Sequence, residues 1–189
     1  DVAEPRAIAE LVRELPLLDP HLRIDLLVNN AGVLHSGERF GSVPAANLED
    51  SFRTNAMGPF LLVQALAPLL ADGATVADIT SELGSIAGVT RFGTPSYNIS
   101  KAAQNMATAL LAQALRPRGI VVVAFHPGWV RTDMGGKDAT LKVIVWDDPI
   151  NKPNDFRTVA TGLDDVRILH NKSAMVIAFV PDGDLGDLA

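Results

Sequence analysis

Three short apolar runs divide the chain: IDLLVNNAG (residues 24–32), GATVADITS (73–81) and GIVVVAFHPG (119–128). Between them lie two stretches with helical periodicity, Asn47 to Leu70 and Ser96 to Leu115. A further helix is expected from Asp1 to Leu15, with Pro5 early and apolar residues at Ile8, Leu11, Val12 and Leu15. Strand, helix, strand, helix, strand predicts a parallel α/β sheet with right-handed crossovers. The third run, apolar throughout, is expected to be covered on both faces. Ligands of such sheets gather at the carboxyl ends of the strands. The corresponding residues here are Asn29 to Gly32, Thr80 with Ser81, and Pro127 to Thr132.

Composition narrows the chemistry. Of 189 residues, 48% are hydrophobic and 20% charged, enough for a core of one domain, or one domain with an appendage. The net charge of −6 is diffuse and no basic run suggests nucleic acid. No stretch is apolar for the length that crosses a bilayer. DVAEPRAIAE has neither the basic nor the apolar region of a signal peptide. The absence of cysteine excludes disulfides and thiolate chemistry and agrees with a cytoplasmic setting. No histidine or carboxylate cluster stands at ligand spacing, so no metal is expected, and His126 reads as a packed strand-end residue. The chain lacks a starting methionine and opens at full stride, which reads as a start partway through a larger domain.

The segment SYNISKAAQNMA places Tyr97, the only tyrosine, four residues before Lys101. On a helix the two share a face. A free phenol titrates near 10, and a neighbouring ammonium lowers that by roughly 1–3, into the range where acid–base catalysis is efficient. Ser81, at the end of the second strand, is suited to donate to a substrate oxygen on which charge develops. Asn55 is a polar residue in an otherwise apolar helix, where asparagine is disfavoured.

The motifs NNAG, N-A-x-G-P-F, S-x-x-G, Y-x-x-x-K and HPGWVRTDMGG occur here in the order found in short-chain dehydrogenases/reductases. The chain resembles that superfamily over about residues 1 to 136, and most closely its carbonyl reductases of the C-factor and sniffer type. The resemblance implies a partial Rossmann-type doubly wound parallel sheet lacking the first βα units. It implies hydride transfer between NADP (or NAD) and a small-molecule carbonyl or alcohol. Tyr97 would be the acid/base, Lys101 would lower its pKa and hold the nicotinamide ribose, Ser81 would orient the carbonyl, and Asn55 would support a water-linked proton relay. Asn29, Ala31 and Gly32 would line the adenosine side. Pro127, Gly128, Val130 and Thr132 would cover the nicotinamide, and Asp1 and Val2 would sit beside the adenine. The two long helices would form a homodimer or homotetramer interface. Ser85, twelve residues before Tyr97, is the alternative to Ser81, which stands sixteen before it; Ser81 is preferred because TSELG matches the strand-end motif.

Two departures stand out. The family's glycine-rich turn, which holds the pyrophosphate at a helix N-terminus, has no counterpart in the chain. Residues 137–189 change character, with nine aspartates and no glutamate. TLKVIVWDD and SAMVIAFV read as strands and DDPINKPND as a loop between them. VIVWDDPIN resembles the start of an adaptor family for a bacterial ATP-dependent protease. This segment is either a divergent substrate lid or foreign to the family. The leading expectation is an NAD(P)-dependent oxidoreductase; the alternative is an inactive relative acting as a binding or dimerisation module.

Overall fold

The computed structural model describes residues 1–128, 130–131 and 134, with the strand segments 141–142, 157–158, 166–171 and 174–179 beyond them. The chain divides into two compact units, Asp1–His126 and Pro127–Ala189.

In the first unit, helix α1 (Pro5–Leu18) leads to strand β1 (Ile24–Asn29). Helices α2 (Ala45–Phe52) and α3 (Gly58–Leu66) follow, then β2 (Leu70–Ile79), α4 (Pro95–Leu115) and β3 (Val121–Phe125). The strands pair in parallel, as the alternation of periodicities predicts, and their order is β1-β2-β3. Pro5 stands at the start of α1, where its missing N–H is no loss. The helix also runs through Pro16 to Leu18, beyond the expected stop at Leu15.

The single helix expected over Asn47–Leu70 is in fact two. A π-helical stretch, Arg53–Met57, separates α2 from α3, and Leu70 already belongs to β2. Ile24 pairs with Leu70 but Leu26 pairs with Thr75. The additional residues of β2 bulge around Gly73, whose φ of +79° suits glycine.

One core joins Val63, Leu70, Ala74, Val76, Leu111, Ile120 and Val122. A second packs Ile8 of α1 against Leu62 and Leu66 of α3. The expectation that β3 is covered on both faces does not hold. Val122 is buried, but Val121 and Val123, which alternate with it onto the opposite face, are exposed.

In the second unit, Val130–Arg131 (β4) pairs in parallel with Leu141–Lys142 (β5). Arg157–Thr158 (β6), Val166–Asn171 (β7) and Ala174–Phe179 (β8) form an antiparallel sheet. The strand expected in SAMVIAFV is β8. Of the strand expected in TLKVIVWDD, only β5 is described, and the loop expected at DDPINKPND lies outside the described residues.

Candidate active site

Strand β2 ends in Thr80 and Ser81, and a 3₁₀ turn, Glu82–Gly84, carries the chain onto α4. Gly84 makes this approach possible: a Cβ there would stand 2.8 Å from the Lys101 carbonyl carbon. Asn105 Nδ2 donates to Gly84 O at 3.4 Å, and Thr80 Oγ1 donates to Asn105 Oδ1 at 2.6 Å, tying the strand end to the helix. Ser81 is thereby brought to Tyr97, whose buried phenol it hydrogen-bonds. Ser85 is exposed, and its Oγ accepts from Gly88 N–H at 3.2 Å.

Lys101 is 3% exposed. Its ammonium donates to Ile79 O and to Gln104 Oε1, both at 2.8 Å, and lies 5.6 Å from the centre of the Tyr97 ring. Burial pulls the Lys101 pKa down to about 8, against the opposing pull of the Asp78 carboxylate. Burial pushes the Tyr97 phenol above its ordinary value, and the Ser81 hydrogen bond only partly offsets this. The direction is opposite to that expected from the Tyr97–Lys101 spacing. The cause is burial of the phenol, which disfavours its charged form.

Asn55 is fully buried in the π-helical stretch. Its Nδ2 donates to Val33 O and Ser100 Oγ, each at 2.9 Å, and its Oδ1 accepts from Val33 N–H at 2.8 Å. Its side chain therefore locks the loop after β1 to both α3's entry and α4. Ser100 Oγ in turn donates to Tyr97 O at 2.8 Å.

The same loop holds the N-terminus of α4. Glu38 Oε2 accepts from Ser96 N–H at 3.1 Å and Ser96 Oγ at 2.9 Å, while its Oε1 accepts from Asn47 at 3.1 Å. Burial alone would raise the Glu38 carboxyl; these bonds, with His35 nearby, outweigh it and hold the carboxyl below its usual value. A carboxylate at a helix N-terminus also meets the favourable end of the helix dipole.

Among the other residues singled out from sequence, Asn29 is buried and donates to Asp78 Oδ1 at 2.7 Å, joining β1 to β2. Gly32 lies between Asn55 and Lys101: a Cβ there would stand 3.3 Å from Asn55 Oδ1 and 3.8 Å from Lys101 Nζ. Ala31 is exposed beside it. Asp1 accepts from Ala3 N–H at 2.9 Å, and Val2 packs near Ile8 and Leu62. Pro127, Gly128 and Val130 belong to the second unit, and Thr132 lies outside the described residues. His126 Nε2 stands 3.8 Å from Glu82 Oε2. Among the described residues, no three His, Cys, Asp or Glu gather as metal ligands, and no helix is long and apolar enough to cross a membrane.

Sequence reasoning missed Asp78, Glu38, Ser100, Gln104 and Thr108. A signal existed for three of them. Residues 97, 100, 101, 104 and 108 recur at helical spacing and are all polar and buried, where an ordinary amphipathic helix would bury apolar residues.

Residues 1–141 match the model of the short chain dehydrogenase family. The C-signal protein of Myxococcus xanthus is 48% identical over 120 residues, covering 62% of this chain and 72% of that protein. The carbonyl reductase Sniffer of D. melanogaster superposes with a TM-score of 0.71 at 35% identity, over 75% of this chain and 62% of that one. An NADPH-bound carbonyl reductase from chicken fatty liver gives 0.70 at 31% identity, over 76% of this chain and 59% of that one. The chain thus spans about six-tenths of each of these reductases. With three parallel strands in register and Tyr97, Ser81 and Lys101 gathered at the end of β2, the chain belongs to the short-chain dehydrogenase family.

Proposed function

We propose that the chain carries the proton-handling part of an NAD(P)-dependent oxidoreductase acting on a small carbonyl or alcohol. The observation that carries this reading is the convergence of Ser81 on the Tyr97 phenol, with the Lys101 ammonium over the same ring. NADP is the favoured cofactor, in keeping with the NADPH-bound carbonyl reductase that the fold resembles. The nicotinamide, when bound, supplies or takes up the hydride. Tyr97 gives the proton to, or takes it from, the substrate oxygen, and the Ser81 hydroxyl orients that oxygen. A phenol held above its ordinary pKa is protonated at neutral pH, the form that can donate in the reducing direction.

The residues present suit part of the cofactor. Gly32, with no side chain, stands beside an ammonium with one N–H unassigned, a match for a ribose hydroxyl. No glycine-rich phosphate turn occurs in the sequence, so the pyrophosphate has no such cradle here. The family part is read as 1–136, with 137–189 as a separate segment. Asn55 acts by bracing the β1 loop against α4, next to the proton path.

Titration of NADPH and NADH into the chain, followed by nicotinamide fluorescence, tests the reading. Saturable binding that Lys101→Ala abolishes supports it. A folded chain that binds neither nucleotide refutes it.

A second reading rests on a different observation. Phe52, Ile99, Met106 and Leu110 are exposed on α2 and α4, and an apolar groove lined by Phe52, Ala56, Met57, Phe60, Ala103 and Ala107 runs between them. This favours association of two copies through these helices. Sedimentation of the wild-type chain against Leu110→Glu decides it.

A further inference from the structure

Gln104 lies one helical turn after Lys101 on the inward stripe of α4 and is 1% exposed. Its Oε1 accepts from the Lys101 ammonium at 2.8 Å, but its Nε2 is buried without a hydrogen-bond partner. Leaving a buried amide N–H unpaired is costly. Turning the amide over would set its N–H groups against the ammonium, donor against donor. The positive charge therefore dictates which way the amide faces.

The ammonium has three N–H groups. Ile79 O and Gln104 Oε1 take two of them. On the Gly32 side, a Cβ would stand 3.8 Å from Nζ. The turn that carries Gln104 is itself anchored to β2: Thr108 Oγ1 lies 2.9 Å from Gln104 O and 2.6 Å from the buried carboxylate of Asp78. Asp78, which also accepts from Asn29, faces Lys101 from the strand side, and Tyr97 faces it from its own helix.

We propose that Gln104 is a positioning residue of this site: with the Ile79 carbonyl, its amide oxygen aims the Lys101 ammonium so that the remaining N–H is presented to the ligand. The proposal rests on the reading of Lys101 as the residue that meets the nicotinamide ribose.

The test follows the side-chain signals of Lys101 by NMR through a pH titration of lysine-labelled protein. The signals are assigned by their loss in Lys101→Arg. The wild-type midpoint is expected near 8. In Gln104→Met, close in shape but without the acceptor, the midpoint falls by about one pH unit, since the charged form loses a partner that the neutral amine does not need. In Gln104→Glu it rises above the wild-type value. Midpoints unchanged in the folded variants overturn the proposal. If circular dichroism shows Gln104→Met to be unfolded, Gln104→Glu decides alone. On the same samples NADPH binding is expected to weaken about tenfold in Gln104→Met, the loss of one charge-assisted bond. A wild-type chain that binds neither nucleotide refutes the reductase reading, while the titration still decides the role of Gln104.

Discussion

The two faces of α4 invert the usual rule. Its inward stripe is polar, with Ser96, Tyr97, Ser100, Lys101, Gln104 and Thr108 buried, and only its last turn, with Leu111, Ala112 and Leu115, packs on the apolar core. Its outward face carries Ile99, Met106 and Leu110, which are 57%, 63% and 58% exposed. An ordinary surface helix does the reverse. Buried polar groups persist where hydrogen bonds satisfy them, and here most partners come from β2, the loop after β1 and Asn55. The inner face thus buries polar groups in place of apolar packing, and the outer face leaves apolar area exposed.

Removing the proposed acid/base, Tyr97, from the inner face should have the largest effect. Tyr97→Phe is expected to lower carbonyl reduction about 10²–10⁴-fold, measured as NADPH oxidation, with little change in thermal unfolding. Next comes Asp78→Ala, which strands the Asn29 amide and the Thr108 hydroxyl and leaves Lys101 without its facing carboxylate. A loss of about 3–5 kcal/mol is expected in denaturant unfolding; an unchanged midpoint would show that the inner polar face contributes nothing to stability.

A pH series gives a smaller effect on the same face. The Lys101 pKa is about 8 in the folded chain and 10.5 as the ordinary reference. Between those values the unfolded chain holds a proton that the folded chain has released, so stability should rise with pH across that window. Below about 8 both states are protonated and the buried charge destabilises in full. Lys101→Met should flatten the rise; the same slope in both proteins would assign it elsewhere. The smallest effect belongs to the outer face, where Met106→Glu should change monomer stability by less than about 0.5 kcal/mol. It should still shift the sedimentation profile toward a single copy; a profile identical to wild type would remove the functional contrast between the two faces.

Much of this was legible in sequence. The three strands and their parallel pairing follow from apolar runs and crossover rules, the shared face of Tyr97 and Lys101 from helical spacing, and the placing of Ser81 with them from the family resemblance. The split of the second long helix was not, because Arg53–Met57 keeps a helical pattern while its hydrogen bonds widen by one residue. Glu38 was invisible because its partner Ser96 lies 58 residues away. Nor could spacing reveal how deeply the Tyr97 phenol is buried, which raises its pKa, or that the Lys101 ammonium bonds Ile79 and Gln104, since both depend on what lies around them in space.

The bond from Glu38 to Ser96 also has a kinetic side. Most helices are capped by a residue at their own start, so their first turn forms locally. The cap of α4 arrives from a loop far back in the chain, and closing so long a segment costs entropy before the bond repays it. The first turn of α4, with Tyr97 in it, therefore becomes protected only when the β1 loop docks. Amide exchange at Ser96 and at the loop should slow together, as one cooperative event of assembly.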